Sequence, residues 1–131
     1  METCKKITAE QLMSGITQRD HKTILWHGYA TTVRMMLSLE EVTQFIDSVI
    51  DTYHISGGLA YPDRFFPENI DFAFRVNTVM RYACIDLPEE LEDQYAVMYA
   101  TDLFDVVSSN VNQAQLKAIR QAIDYYIARL R

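Results

Sequence analysis

The side chains in this sequence that are best suited to chemistry are carboxylates. The densest group is Glu89, Glu90, Glu92 and Asp93, four acids within five residues, with Asp86 just before them. A helix start favours some acidic residues because of its dipole, but four exceed what one start needs. A cluster of like charges attracts and orients a basic partner surface. The cluster therefore predicts a partner-binding surface, with solubility as the alternative explanation.

A second group of acids lies on an earlier segment, and the same argument from clustered like charges applies to it. Glu40, Asp47 and Asp51, together with Gln44, fall on the helix side opposite an apolar stripe. Residues 38–74 hold seven acids and one arginine, a net charge of -6, and residues 86–105 hold seven acids and no base, a net charge of -7. The remaining segments are net positive. The chain is therefore polarised in blocks, and both acidic blocks are predicted to bind a partner.

The sequence contains no recognisable motif for binding a metal ion or a cofactor or for activating a nucleophile. His21, His27 and His54 show no HxxxH spacing, and there is no CxxC pair. Cys84 stands among apolar residues in a helical stretch, which predicts a buried and inert thiol. GxSxG, P-loop and GxGxxG motifs are missing from the sequence. We therefore expect no catalytic residue, no metal and no cofactor.

Two groups of polar residues bear on whether an enzyme is possible. Asp102 and Asp105 interrupt an apolar helix, and an active site would require them to converge with a histidine in a cleft. Asp71 lies early in another helix, where Arg75 or Arg81 is a candidate ion-pair partner. Structural ion pairs and solvated faces are the simpler explanation for these groups.

Composition limits the class of protein. The chain has 131 residues, a formal net charge of -6 and 49% hydrophobic residues, which fits one globular domain. We expect an N-terminal arm or short helix over residues 1–20 and a single domain over residues 21–131. The acidic balance argues against direct nucleic-acid binding. No apolar run approaches the ~20 residues of a membrane span, and two cysteines suit a reducing compartment, so we expect a cytoplasmic protein without membrane contact.

The helices and strands that must position these residues have clear start and turn signals in the sequence, and we predict a helix-dominant α+β fold. Residues 22–26 and 29–37 alternate in a strand pattern around His27-Gly28, which predicts an antiparallel hairpin. About four helices follow, each with a start signal. These signals are the Ser38–Glu41 capping box, Pro67-Glu68, the acidic start of a helix over residues 88–108, and Asn112 with Gln115.

Four short segments carry a resemblance to a known group of proteins. They are WHG at 26–28, PENIDF at 67–72, LPE at 87–89 with QY at 94–95, and NQAQ at 112–115. In this order they resemble small proteins encoded by phages and prophages of Gram-positive bacteria. The resemblance implies one of two roles, inhibition of host defence as in anti-CRISPR proteins, or virion and tail assembly. It transfers no catalytic residue.

These observations lead to two functional expectations. The first is a non-enzymatic protein-binding module, a phage-encoded inhibitor in the host cytoplasm whose acidic helices dock on a basic, nucleic-acid-binding surface of a defence protein. The alternative is an assembly protein that forms homo-oligomers through the hairpin edge and exposed aromatic residues such as Tyr29, Tyr61 and Phe65.

Overall fold

The computed structural model of the chain describes residues 5–16, 21–56 and 67–129, and the side chains of all of these except 53–56 and 67–69. In this part of the chain, one antiparallel hairpin follows a short first helix and precedes five further helices. The elements are α1 Ala9–Ser14, β1 His21–Trp26, β2 Tyr29–Arg34, α2 Leu39–Ser56, α3 Pro67–Tyr82, α4 Leu91–Ala100, α5 Leu103–Ser108 and α6 Gln113–Arg129. The predicted helix-dominant α+β fold with an N-terminal hairpin is confirmed.

The hairpin turns at the dipeptide that the sequence predicted. His27 has φ of 50° and Gly28 has φ of 83°, and two successive left-handed residues are the geometry of a type I′ turn. The strands pair in register from Trp26 opposite Tyr29 to His21 opposite Arg34. This register places the predicted alternating residues on one face, where Ile24 and Val33 are buried.

Two backbone contacts attach the outer edge of β2 to the helices. Val33 bridges to Ala83, and the Cys84 N–H donates to the Thr32 carbonyl at 3.0 Å. Farther along, the Asn112 N–H donates to the Met35 carbonyl at 2.8 Å. Because paired backbone groups fix orientation, the hairpin lies against the ends of α3 and α6.

Cys84 is the first point at which the sequence prediction was wrong. Helix α3 ends at Tyr82, so Cys84 lies outside the helix, and its side chain is exposed. The helix ends early because the chain from Ala83 onward pairs with β2 instead of continuing its own helical bonds. A contact with a distant strand cannot be read from local periodicity.

Helix α2 and helix α6 begin as predicted. Ser38 and Glu41 form a reciprocal capping box, and the Gln115 N–H donates to the Asn112 side chain at 2.8 Å. The Gln115 side chain does not reach back to Asn112. It accepts from the Leu37 N–H at 2.9 Å, donates to the Leu37 carbonyl at 3.0 Å, and accepts from the Tyr82 hydroxyl at 2.7 Å, so it joins the end of the hairpin to α3 and α6.

Helix α3 is central, as its two apolar sides predicted. It packs against α2, α4 and α5, while α2 also packs against α6. The buried core runs from the hairpin through these helices, with Phe45, Val49, Val79, Met98 and Ile123 among its most enclosed members. This arrangement leaves one flank of α3, between α2 and α4, facing outward.

The predicted continuous helix over residues 88–108 was wrong, because it is two helices separated at Thr101 and Asp102. Thr101 is extended, with φ of -128° and ψ of 170°. Its hydroxyl donates to the Val97 carbonyl at 2.6 Å and accepts from the Leu103 N–H at 3.2 Å, so it caps one helix and starts the next. Helical periodicity over 88–108 predicts one apolar stripe through Leu91, Tyr95 and Tyr99, but these residues are partly exposed, whereas Met98 is buried.

The sequence left open whether the N-terminal segment is an arm or a short helix, and the structure has a short helix there, α1. Thr8 and Gln11 make a capping box at the start of α1. No residue of α1 is buried, and the side chains of Ile7, Leu12 and Met13 are exposed.

Candidate partner-binding surface

The acids of the 86–93 segment surround the start of α4 and face solvent. Asp86, Glu89, Glu90, Glu92 and Asp93 are all exposed. Glu90 occupies the N-cap position, yet its side chain makes no capping hydrogen bond. Ser, Thr, Asp and Asn are the residues that stabilise this position. Helix α4 therefore begins with an acid that contributes charge but no cap, unlike α1, α2 and α6.

The acids predicted on α2 are also exposed. Glu40, Asp47 and Asp51 point away from the core, which α2 contacts through residues such as Phe45 and Val49. Helix α2 has no basic residue between Leu39 and Thr52. The charged side chains on its described outer surface are therefore all acidic.

Some of the described acids form an ion pair and others do not, and Glu10 and Asp105 belong with the unpaired ones. Glu41, Asp71, Asp102 and Asp124 each pair with a basic side chain. The predicted partner-binding acids form no ion pair with any residue that the structure describes. These eight residues are Glu40, Asp47, Asp51, Asp86, Glu89, Glu90, Glu92 and Asp93. Their carboxylates are thus available to a partner, while the paired acids serve the fold.

A groove lies between α2 and α4, with α3 as its floor. Ser48 and Thr52 form the α2 side, Leu91 and Gln94 form the α4 side, and the floor extends from Phe72 to Met80. Leu91 is 48% exposed and Met80 is 49% exposed. We call this feature the α2–α3–α4 groove. It is mainly apolar, and no basic side chain lines it.

Acids adjoin the groove on both sides. Asp47 precedes Ser48, Asp51 precedes Thr52, Glu90 and Glu92 flank Leu91, and Asp93 precedes Gln94. These acids are exposed, and each is a chain neighbour of a lining residue on α2 or at the start of α4. The packing of α2 and α4 on α3 therefore places a helix that carries exposed acids on each side of one apolar groove. Glu40, Asp86 and Glu89 are not chain neighbours of any lining residue.

Sequence reasoning missed the groove, although one signal pointed to it. Leu91 is an apolar residue enclosed by acids in the run EELED, and it was interpreted as core. An exposed apolar patch with a polar rim marks an interaction site, and Leu91 is the part of this patch that stands out in the sequence. Met80 and Val76 gave no such signal, because α3 is apolar on two sides.

A second cleft lies at the hairpin tip and tests the enzymatic alternative. Trp26, Tyr29, Thr31, Cys84 and Leu103 are among the residues that line it. The Trp26 indole N–H donates to Asp102 Oδ1 at 2.7 Å.

His27 stacks on the Trp26 ring with centroids 4.1 Å apart, and its Nε2 is 3.6 Å from Asp102 Oδ1. Asp102 and a histidine thus meet beside this cleft, but Asp105, the third member that an active site would require, pairs with no described residue. The Asp102 carboxylate is engaged by the indole, which gives it a structural contact between hairpin and α5.

Asp71 forms a network that joins three helices. It accepts hydrogen bonds from Arg75 at 2.9 Å, from the Tyr99 hydroxyl at 2.6 Å and from Arg120 at 3.3 Å. Burial opposes ionisation of Asp71, but the hydrogen bonds from Tyr99 and Arg75 outweigh it and hold the pKa of this carboxyl below its ordinary value. Burial, and then the bond to Asp71, raises the pKa of Tyr99. The predicted pairing of Asp71 with Arg75 is confirmed, and Arg81 instead contacts Asn77.

Within the described residues, no group of three or more His, Cys, Asp or Glu side chains is placed to hold a metal ion. None of the helices in that part of the chain combines the length and apolar content that crossing a bilayer requires. No protein-family model, curated protein or solved structure matches the chain.

Proposed function

We propose that this protein is a non-enzymatic binding module that presents acidic helices to a basic surface of another protein. The observation that carries the proposal is the set of eight exposed acids on α2 and around α4 that pair with no described residue. Exposed and unpaired charges of one sign create a field that steers an oppositely charged partner and fixes its orientation.

The start of α4 supports a role in binding. Placing Glu90 at the N-cap forgoes the stabilisation that Ser or Asp would give there, which is about 1 kcal/mol. Crowding Glu89, Glu92 and Asp93 beside it adds like-charge repulsion. A sequence that accepts both costs at one site is typical of a site kept for function.

The specific form of the proposal is an inhibitor that occupies a nucleic-acid-binding channel of a host defence protein. Such channels are lined with Lys and Arg that contact phosphates. A protein with exposed carboxylates on two helices presents negative charge, which has the same sign as the charge of a nucleic-acid backbone. This form rests on the resemblance to phage proteins, and the exposed acids are consistent with it.

Two matched charge variants test the proposal. Glu89→Lys with Glu92→Lys and Glu10→Lys with Asp105→Lys each change the formal net charge from -6 to -2. The first pair replaces one acid in the first turn of a helix, Glu92, and the second pair replaces two, Glu10 and Asp105. Affinity purification with tagged wild type from a lysate of the source cells identifies a partner, and binding of that purified partner to each variant is then measured.

We expect the Glu89/Glu92 variant to lose at least tenfold in affinity and the Glu10/Asp105 variant to stay within about twofold. Wild-type binding should also weaken in about 1 M NaCl, where the screening length falls to about 3 Å. Equal affinity of the two variants would contradict the proposal, because location of the acids would then be irrelevant.

The hairpin favours a second candidate, an assembly protein. In the described sheet, β1 pairs only with β2, so the other edge of β1 is open. Leu25 is 71% exposed and Tyr29 is 73% exposed. An open edge with apolar side chains can pair with another chain. Tyr61 and Phe65, which were predicted to share this role, lie outside the described residues.

Light scattering separates the two candidates. A ring or polymer whose size does not change with dilution, and which Leu25→Lys disrupts, would support assembly. A monomer or dimer would favour the binding module.

A further inference from the structure

We propose that the α2–α3–α4 groove binds the apolar side chains of a basic amphipathic helix in the partner protein. The inference rests on the proposed function, since both assign the acids of α2 and α4 to a basic partner. It adds that recognition requires apolar anchors as well as charge, and that the recognised element is helical.

The size and lining of the groove suit anchor side chains. Its volume is about 210 Å³, below the roughly 300–1,000 Å³ of pockets that enclose a whole small molecule. Leu91 on the α4 side and Met80 at the end of the floor are each about half exposed. Methionine adapts its shape to different apolar partners. Burial of these side chains under a partner would stabilise a complex without any rearrangement of the core.

The length of the groove fits a helix. The floor extends over the nine residues from Phe72 to Met80, which are separated by eight steps of 1.5 Å or about 12 Å. A docked helix presents anchors at i, i+3 or i+4, and i+7, which span about 10.5 Å. Every lining residue belongs to a helix, whose backbone groups bond internally. The groove therefore offers no strand edge to an extended peptide.

Charge selects a basic helix for this groove. Asp51, Glu92 and the other acids that adjoin the lining residues are unpaired, and residues 39–52 and 86–100 contain no base. Two bases are chain neighbours of lining residues, and both are engaged. The Arg81 guanidinium is held by the Asn77 side chain at 3.0 Å and reaches Gln44 at 3.5 Å. Arg75 binds Asp71 at 2.9 Å. Lys and Arg on both sides of an apolar stripe would face the two acidic rims. A second copy of this chain carries a net charge of -6 and would meet repulsion there.

The test uses a defined peptide and charge-neutral variants. The probe is a helical peptide of about 18 residues with leucines at i, i+3 and i+7 and with Lys and Arg elsewhere. A second peptide has the same composition with the leucines scrambled. Binding is measured by calorimetry to wild type, to Met80→Gln with Leu91→Gln, to Leu39→Gln and to Glu89→Lys with Glu92→Lys. Leu39 is 82% exposed on α2 and does not line the groove, so it is the matched control.

We expect wild type to bind the patterned peptide at least tenfold more tightly than the scrambled one, and the Met80/Leu91 variant to lose at least tenfold. The Leu39 variant should stay within twofold. Circular dichroism shows whether each variant is folded. The comparison of the two peptides on wild type does not depend on the folding of any variant.

Equal binding of the two peptides by wild type would overturn the groove assignment. If the Glu89/Glu92 variant lost affinity and the Met80/Leu91 variant did not, the proposed function would be supported and the groove assignment would be contradicted. If that variant bound like wild type, the acidic surface itself would be refuted. Self-association of wild type that the Met80/Leu91 substitutions abolish would assign the groove to a second copy and overturn the basic helix.

Discussion

Two neighbouring glutamates, Glu40 and Glu41, show how differently acids are used in this protein. Glu40 is exposed and unpaired, whereas Glu41 binds Arg34 through both carboxylate oxygens and closes the capping box with Ser38. The hydrogen bonds from Arg34, which outweigh the effect of burial, lower the pKa of Glu41 to about 2. One acid stabilises the junction of hairpin and α2, and its neighbour adds to the acidic surface.

We predict that Glu41→Gln lowers the free energy of unfolding by about 1 kcal/mol at pH 7, a value reduced for solvent screening because the pair is about a third exposed. Gln keeps the capping geometry and removes only the charge. Because folding lowers the Glu41 pKa, its contribution is complete above the ordinary value of 4.5 and is lost as pH falls towards 2.

Urea unfolding of wild type and variant at several pH values measures this difference, which should shrink towards pH 2. Glu40→Gln is the control and should change stability little at any pH. A difference for Glu41→Gln that persists undiminished at pH 2 would show that the ion pair is not its origin.

The thiol of Cys84 gives a second prediction at this scale. In a Cys4→Ser background, Cys84 should react with a disulfide reagent such as DTNB in the native state, since its side chain is exposed. Absorbance of the released thiolate follows the reaction, and Cys84→Ser should abolish it. If Cys84 reacted only after denaturant was added, its thiol would be buried in the native state, as the sequence predicted.

At the scale of elements, the helix starts were predictable and the breaks were not. Capping boxes at Thr8 and Ser38 and the Asn112 cap are local patterns of three or four residues, so they appear directly in the sequence. The separation of α4 from α5 depends on Thr101, whose hydroxyl bonds backbone on both sides. A single threonine within an apolar stretch has no pattern that distinguishes this role from a helical one.

We predict that Glu90→Ser raises the free energy of unfolding by about 0.5–1 kcal/mol, because Ser caps the start of α4 where Glu makes no capping bond. Chemical denaturation followed by the fluorescence of Trp26, the only tryptophan, measures the change. Glu89→Ser removes the same charge outside the cap and should give less than half of that gain. If the two variants gained equally, charge relief would explain the effect and capping would not.

At the scale of the whole molecule, the described part of the chain is joined by a few polar contacts between distant segments. Gln115 connects α6 to the end of the hairpin, Trp26 connects the hairpin to Asp102, and Asp71 connects α3 to α4 and α6. Each contact joins residues at least 28 positions apart in the chain. They fix how the apolar faces meet, which burial alone leaves less specific.

We predict that Asp71 and Tyr99 are energetically coupled by about 1 kcal/mol or more, since the Tyr99 hydroxyl donates to a partly buried, charged carboxylate. A double-mutant cycle of Asp71→Ala and Tyr99→Phe measures the coupling by denaturant unfolding. The same cycle with Tyr95→Phe is the control and should give a value near zero. Equal coupling to both tyrosines would indicate general loosening of α4 and not this hydrogen bond.

The sequence by itself determined the type of most elements and the two acidic blocks, because helical periodicity, caps and the His27-Gly28 turn act within a few residues. It also gave the exposure of Glu89, Glu92 and their neighbours, since charged residues opposite an apolar stripe face solvent. Only tertiary structure decided that Cys84 is exposed and that the 88–108 helix breaks. The packing of α2 and α4 on α3 likewise brought Leu91 and Met80 to one groove, with a helix that carries exposed acids on each side of it. These features depend on contacts between residues far apart in the chain, which no local pattern encodes.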